Sequence, residues 1–383
     1  MKTLLILACI LIMQCSSGFA QDTAQTDRNS QTISQTPGGT KFLLTGYGFS
    51  GFEKKDNENG TFGPAGFAPI FLWKISDKLF FEGEVEIGIE DGETGFGLEY
   101  ATLHYAFSKY FILGAGKFLS PFGTFQERLH PAWINKFAER PLGLSEEGVM
   151  LNPMSEFGAE IRGGTPLGES RINYVVYLSN GPKLNTGSED AMMAGQLDYE
   201  NLADNNNNKA TGGRLGLQPF PNSSFEIGIS GQTAKVGDEK NILYKNVRAN
   251  LFAVDLNYVK SIDFLKSTID IKGQFNQVKV DKTDYLDTTG MTYTFDNSSK
   301  AYYAQIAIRP VQITALKKLE IAGRYSGLRV PEQAMWAGNK TQITAGLNYW
   351  FSYRSVLKFN YQVTKEKGKD NEGALFIVFA MGF

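Results

Sequence analysis

The stretch LFIVFAMGF, which runs from Leu375 to Phe383, is the strongest indication of the fold of this chain. In an extended strand every second residue points to the same face, and here both faces would be apolar. A chain that ends inside such a strand differs from most soluble domains, whose ends fray into water. The ending therefore favours a closed β-barrel, whose last strand completes the sheet, over a soluble β-sandwich with a buried last strand.

Other strands are predicted by strict alternation of apolar and polar residues. In residues 81–90 the polar positions are Glu82, Glu84, Glu86 and Glu90. In residues 356–364, apolar residues alternate with a polar set that includes Lys358. One face of each strand would contact an apolar phase, and the other face would contact water. Counted in this way, residues 42–383 contain about sixteen strands.

The connections between these strands alternate in length. Short turns are predicted at 76–78, 108–109 and 165–169, whereas the connections at 119–154 and 180–210 are long and polar. Short turns on one rim and long loops on the other are typical of a membrane-spanning barrel. The sequence thus predicts an all-β protein, a transmembrane antiparallel β-barrel of about sixteen strands. A barrel of this size is wide enough for an aqueous channel.

Residues 1–20 have the pattern of a cleaved secretory signal. Lys2 precedes an apolar run, and the small residues Gly18 and Ala20 mark the cleavage site. Both cysteines, at positions 9 and 15, fall in this segment, so the mature chain would have no thiol. Residues 21–40 are predicted to be a flexible polar tail, and residues 41–383 are predicted to form the barrel.

Composition argues against several functions. The formal net charge of −2 gives no indication of nucleic-acid binding. His104 and His130 are the only histidines, and no catalytic or metal-binding motif occurs. We therefore predict no enzymatic activity, no cofactor and no metal. A barrel hydrolase is the weakest alternative, because His130 would be its only candidate base.

Two stretches resemble a known family. Residues 113–128 read LGAGKFLSPFGTFQER, followed by FAERP at 137–141 and EGVML at 147–151. Residues 205–220 include NNNK, GRL and PF in the same order as a second pattern of that family. These stretches resemble the phosphate-selective porin O and P family over roughly residues 95–220. The resemblance implies a sixteen-stranded outer-membrane porin that is usually trimeric, with its third loop folded inward.

The resemblance also implies roles for particular residues. The loop at 119–154 would be the constriction. Its candidate residues are Phe122, Glu127, Arg128, Trp133, Lys136, Glu139 and Arg140. A terminal aromatic residue, here Phe383, would be the signal read by the barrel-assembly machinery of a Gram-negative outer membrane. Outer-membrane lipid would surround the protein.

Residues predicted to line the pore have mixed charge. The acidic set is Glu82, Glu84, Glu86, Glu90, Glu156 and Glu160. The basic set is Lys117, Arg162, Arg171, Arg214, Arg309, Arg324 and Lys358. The family is described by ladders of Arg and Lys, so its phosphate selectivity is not carried over. The two sets could form facing walls with a field across the pore, or simply be the wet face of ordinary barrel strands.

These features predict a porin, a passive diffusion channel for small hydrophilic solutes and ions, with anions among the candidates. Selectivity would come from pore radius and charge. The alternative is a non-conducting outer-membrane barrel that acts as a structural or partner-binding module, with the loops at 119–154 and 180–210 filling the lumen or facing a partner.

Overall fold

The computed structural model describes residues 41–90, 93–145, 148–200, 202–220 and 224–383. The predicted signal at 1–20 and the predicted tail at 21–40 lie outside the described residues. No helix in the described ranges is both long and apolar enough to cross a bilayer.

Sixteen strands form one closed antiparallel barrel, which confirms the predicted fold class. We number them β1 to β16 in chain order. They are β1 (Lys41–Lys55), β2 (Thr61–Lys74), β3 (Leu79–Glu90), β4 (Glu93–Ser108), β5 (Phe111–Leu119), β6 (Ser155–Leu167), β7 (Ser170–Ser179), β8 (Ala210–Gln218), β9 (Phe225–Lys235), β10 (Arg248–Ile262), β11 (Ser267–Val280), β12 (Ser298–Arg309), β13 (Leu319–Arg329), β14 (Lys340–Trp350), β15 (Ser355–Glu366) and β16 (Glu372–Gly382).

Closure depends on the terminal strand. β16 pairs with β15 on one side and with β1 on the other, where Tyr47 lies opposite Gly382. The backbone N–H of Phe383 also donates to the carbonyl of Gly46, at 3.0 Å. Because each edge strand finds a partner, the backbone groups that an open sheet would leave unpaired are satisfied within the barrel.

Connections on the two rims differ as expected. On one rim, which we call the turn side, β4 and β5 are joined by residues 109–110 only. The opposite rim, the loop side, carries loop 3 (120–154), loop 4 (180–209), loop 5 (236–247), loop 6 (281–297) and loop 7 (330–339). Loop 3 contains the short helix α1 (Phe125–Arg128), and loops 4 and 6 each contain a small two-stranded ribbon.

Alternation along each strand separates the two faces of the wall. Outward positions carry large exposed apolar side chains, such as Ile321 and Phe359. Inward positions carry polar side chains that are buried inside the barrel, such as Asn348 and Lys358. An exposed apolar belt around a closed barrel is the surface that lipid covers.

The inside of the barrel is largely filled. Phe122, Phe125 and Leu144 of loop 3 are completely or almost completely buried, and they belong to one large apolar cluster. The cluster also includes side chains from loops 4 to 7 and small inward residues of the wall, such as Ala249 and Ala301. Loop 3 therefore packs inside the barrel, and the other loops fold over it at the loop side.

Candidate functional site

The first half of loop 3 is anchored by its backbone. Gly123 has φ +72°, a left-handed conformation that glycine adopts without strain. Its N–H donates to Ser230 Oγ at 3.0 Å, and the next two N–H groups donate to Gln274 Oε1 at 3.0 and 3.2 Å. A Cβ on Gly123 would lie 2.2 Å from Gln274 Nε2. Glycine is thus required here both by the turn and by the close approach of the wall.

The second half of loop 3 is held by wall side chains that reach the backbone of residues 136–140. Lys358 Nζ donates to the carbonyl of Phe137 at 3.1 Å. Arg324 Nη1 donates to the carbonyl of Glu139 at 2.9 Å. Two wall amides complete the set, Asn348 and Asn360. Buried cations bonded to backbone carbonyls fix this segment in place, because moving it would leave the charges without partners.

The charged side chains of loop 3 pair with charges on the wall. The pairs and their N–O distances are Arg128–Glu226 at 2.9 Å, Glu127–Arg162 at 2.8 Å and Lys136–Glu320 at 2.8 Å. On the wall itself, Arg214 binds Asp255 at 2.7 Å and Glu226 at 2.9 Å. Many of the charges that the sequence predicted at the pore therefore neutralise one another. They do not form an acidic wall that faces a basic wall across open water.

A cavity of about 80 Å³ lies beside loop 3 inside the barrel. It lies between loop 3 and an arc of wall formed by β1 to β3 with β15 and β16. Its titratable lining residues are Glu86, His130, Glu139, Arg140 and Lys358. Its apolar lining includes Tyr47, Phe49, Phe376 and Val378. The inward face of β16 is thus apolar, unlike the inward faces of most other strands.

Glu84 lies beside this cavity and is almost completely buried. Neither of its carboxylate oxygens accepts a hydrogen bond of good geometry from the described residues. His130 Nε2 is 3.7 Å from Glu84 Oε1, and the phenol groups of Tyr47 and Tyr100 flank the same carboxylate. The cavity therefore has a concentration of acidic groups on its wall side.

Sequence reasoning missed Glu99, which interacts with Glu86 and lies near His130 and Arg140. A β-bulge explains the omission. Opposite Glu84 and Val85 the partner residues are Tyr100 and Leu98, so Glu99 is an extra residue in β4. In the sequence, a break in the alternation of β4 was the only sign of this bulge. A bulge breaks the alternation because it changes the face of every residue after it.

The prediction that Lys117 lines the pore is wrong. β5 directs its neighbour Phe118 inward, where it is buried, and places Lys117 on the outer face opposite Ala101 and Phe157. The ammonium group of Lys117 donates to the carbonyl of Leu98. Because side chains alternate between the two faces of a strand, an error of one residue in the predicted register assigns a side chain to the wrong face.

The other predicted residues are placed as follows. Glu82 contacts His104 at 2.9 Å, Glu156 accepts a hydrogen bond from Gln232 at 2.9 Å, and Glu160 pairs with Arg162 at 2.7 Å. Arg171 lies at the turn side of β7, opposite Gln218, and Arg309 lies over the ring of Trp350.

Two predicted aromatic residues of loop 3 are also placed. Trp133 packs near Phe49, and Phe122 is in the apolar cluster. Glu90 ends β3, and its side chain is outside the described set.

The terminal Phe383 is held at the closing seam of the barrel. Its ring stacks on Phe67 with the ring centroids 5.5 Å apart, and its carbonyl accepts a hydrogen bond from the hydroxyl of Thr45. The same residue that the sequence suggested as an assembly signal therefore also contributes to the β1–β16 junction.

Comparison with known proteins gives one partial sequence match and many structural ones. No family model matches the chain. An uncharacterised protein of Aquifex aeolicus is 34% identical over 124 residues, which cover 30% of this chain and 26% of that protein. The chain thus matches only about a quarter of that relative's length, too little to assign a family.

Solved structures resemble the whole barrel. The anion-selective porin of Comamonas acidovorans is 12% identical with a TM-score of 0.57, covering 90% of this chain and 100% of that one. The outer-membrane channel DcaP of Acinetobacter baumannii is 12% identical with a TM-score of 0.58, covering 91% and 99%. OmpT of Vibrio cholerae in its trimer form is 12% identical with a TM-score of 0.52, covering 90% and 99%. At such low identity the likeness shows the fold alone, a closed β-barrel similar to those of these outer-membrane proteins.

Proposed function

We propose that this protein is an outer-membrane channel through which small hydrophilic solutes and ions diffuse passively. The observation that carries the proposal is the position of loop 3. It is attached to one arc of the wall and leaves a charged cavity against the other arc, so the passage would run between Glu86 on β3 and Glu139 and Arg140 on the loop. A narrow passage with charged walls selects solutes by size and charge.

The charges beside the cavity support a preference for cations over anions. Glu84, Glu86 and Glu99 place three carboxyl groups on the wall side of the cavity. Arg140 is the opposing guanidinium, and the ammonium group of Lys358 is already bonded to loop carbonyls. Excess negative charge at the narrowest point raises the local concentration of cations. The mixed charges of the linear chain indicated no such preference, because they did not show which residues meet at the constriction.

The proposal includes export by a signal at 1–20, insertion into the outer membrane of a Gram-negative bacterium and assembly as a homotrimer. The apolar outer belt and the terminal strand support the membrane placement. The trimer form of OmpT, a protein of similar fold, supports the oligomeric state. Recognition of Phe383 by the barrel-assembly machinery belongs to the same proposal.

Single-channel recording with introduced thiols tests the passage. Both native cysteines lie in the predicted signal, so Ala138→Cys would be the only thiol of the mature chain. Ala138 lines the cavity, whereas Ala345 is exposed on the outer face of β14. A bulky cationic thiol reagent should reduce the current through Ala138→Cys and leave the current through Ala345→Cys unchanged. Equal effects on both variants, or folded protein that carries no current, would contradict the proposal.

A second candidate function is a non-conducting barrel that binds a partner at its loop side. The apolar cluster inside the barrel favours it, because loops 3 to 7 fill the lumen together and leave a small cavity. This function predicts that folded protein in a planar bilayer gives no current even when loop 3 is loosened. The channel function predicts that loosening loop 3 increases the current.

A further inference from the structure

Three basic side chains lie together on the outer face of the barrel near its loop side. They are Lys279 on β11, Lys300 on β12 and Arg329 on β13, and all three are exposed. The residues beside them, Val278, Ala301 and Leu328, point inward and are buried. The three cations therefore face away from the lumen and take no part in the proposed passage.

Their arrangement is unfavourable in the protein alone. Lys300 lies directly opposite Arg329 in the β12–β13 pair. Lys279 is a diagonal neighbour of Lys300, since it pairs with Ser298 while Gln277 pairs with Lys300. Like charges directly opposite on adjacent strands destabilise a sheet, and diagonal neighbours lie only about 7–8 Å apart. An anion held between the three would remove this repulsion.

Two carboxylates near the loop side are paired with other lysines. Glu332 of loop 7 pairs with Lys367 at 2.7 Å. Glu366 pairs with Lys369 at 2.8 Å and with Lys340 at 3.6 Å. Across the described ranges, none of the three cations has a carboxylate oxygen within 4.0 Å. The arginine instead donates to two backbone carbonyls, those of Leu328 and Lys340.

The position of these three cations relative to the apolar belt indicates the source of the anion. Tyr302 follows Lys300 by two residues on the same outer face, and its ring lies against Gly327, where a Cβ would be 2.5 Å from the ring. The rings of Tyr302 and Tyr325 have centroids 6.1 Å apart. Further from the loop side, the same faces carry Ile306 and Ile321, which are exposed. Tyrosines above an apolar belt mark the boundary between hydrocarbon and headgroups.

We propose that Lys279, Lys300 and Arg329 bind the phosphate groups of anionic lipids in the leaflet that surrounds the loop side of the barrel. Cations at this height reach the phosphate layer, and an arginine can bind a phosphate through two N–H groups at once. The site rests on the proposed membrane placement and not on conduction through the lumen. The phosphate of the lipid would thus offset the repulsion among these three positive charges.

Lipid binding by purified protein tests this site. The probe is diphosphoryl lipid A, titrated into protein in a neutral detergent and followed by native mass spectrometry, with phosphatidylcholine as the uncharged comparison. Loss of two charges in Lys300→Gln/Arg329→Gln should weaken lipid A binding about 30-fold, given about 1 kcal/mol per basic residue near a charged surface. Phosphatidylcholine binding should not change.

The matched control is Lys260→Gln/Lys317→Gln, which removes two exposed charges at the turn side. It should keep the wild-type affinity for lipid A, and an equal loss in the control would overturn the proposal. Displacement of lipid A by excess inorganic phosphate would assign the patch to free phosphate and would also overturn it. Unchanged single-channel current in the Lys300→Gln/Arg329→Gln variant separates this site from the channel.

Thermal unfolding gives a second readout that does not depend on measured affinity. In neutral detergent, Lys300→Gln should unfold at the same temperature as the wild type or a higher one, because a like-charge pair is removed. In micelles that contain lipid A, the same variant should unfold at a lower temperature than the wild type, because bound lipid stabilises the wild type. A variant that is less stable in both detergents would contradict the inference.

Discussion

Two arcs of the barrel wall make different contacts with loop 3. The anchoring arc, defined by Ser230, Gln274, Arg324, Lys358 and Asn360, donates and accepts hydrogen bonds along the loop backbone. The cavity arc, defined by Tyr47, Phe49, Glu86, Phe376 and Val378, lines the remaining space. Directional polar bonds fix the position of the loop, whereas the mainly apolar cavity arc leaves room beside it. The comparison indicates that the anchoring arc determines the width of the cavity.

The largest effect should follow from weakening the anchoring arc. Arg324→Met together with Lys358→Met leaves several loop carbonyls without donors, which costs about 1–3 kcal/mol of unfolding free energy for each residue. The loosened loop should also increase single-channel conductance. Urea unfolding followed by tryptophan fluorescence, together with planar-bilayer recording, measures both changes.

The matched control for this double variant is Arg309→Met. Arg309 faces inward, but it donates to the carbonyl of Lys317 and lies over Trp350, so these contacts join it to the wall and not to the loop 3 backbone. Its replacement should leave the conductance close to the wild-type value. If Arg309→Met raised conductance as much as the double variant, attachment of the loop would not be what limits the current.

A smaller loss of stability is expected at the hinge of loop 3. Gly123→Ala places a Cβ against Gln274 and adopts a strained backbone, so we expect a loss of about 2–4 kcal/mol from strain and overpacking together. Gly168→Ala is the control, since Gly168 has φ +61° but lies at the turn side, where an added Cβ would meet no atom within 4 Å. It should lose only about 1 kcal/mol, from the backbone alone. Equal losses in urea unfolding would show that the contact with Gln274 is unimportant.

Filling the cavity arc should reduce the current. Val378→Trp extends a large ring into the cavity, and we expect conductance to fall by roughly half or more because the narrowest section controls the flow. Ile377→Trp is the control, because residue 377 points outward beside it on β16. A drop in current in both variants, or in neither, would place the passage elsewhere.

The smallest expected effect is on ionic preference. Under a potassium chloride gradient, Glu86→Gln should move the reversal potential towards anion preference, and Arg140→Gln should move it towards cation preference. Both residues line the cavity, so the two shifts should have opposite signs. Shifts of the same sign would contradict the proposed position of the passage between β3 and loop 3.

Much of the barrel could be predicted because alternation is local. The inward positions of Glu82, Glu84 and Glu86 followed from period two alone, whereas the closing role of Leu375–Phe383 was predicted from a chain ending inside an apolar strand. Lys117 was placed on the wrong face because its segment, rich in small residues, gives little indication of register. Glu99 was missed because a bulge interrupts β4. Neither residue could be placed without its neighbours in the sheet.

The partners of the charges could not be predicted. Arg214 and Asp255 are 41 residues apart in the chain, and Lys136 and Glu320 are 184 apart. Sequence alone showed that both signs of charge face inward, but it did not show which charges neutralise one another and which remain at the cavity. The preference for cations that we propose depends on this sorting.

Local sequence was enough to predict a barrel of about sixteen strands with long loops on one rim, because strand periodicity and turn length are properties of neighbouring residues. The inward folding of the third loop was expected only from the family resemblance. The path of loop 3, the charges that line the cavity beside it and the basic residues that meet on the outer face became known from the folded barrel alone. These features depend on contacts between distant strands, and closure of the sheet is what brings those strands together.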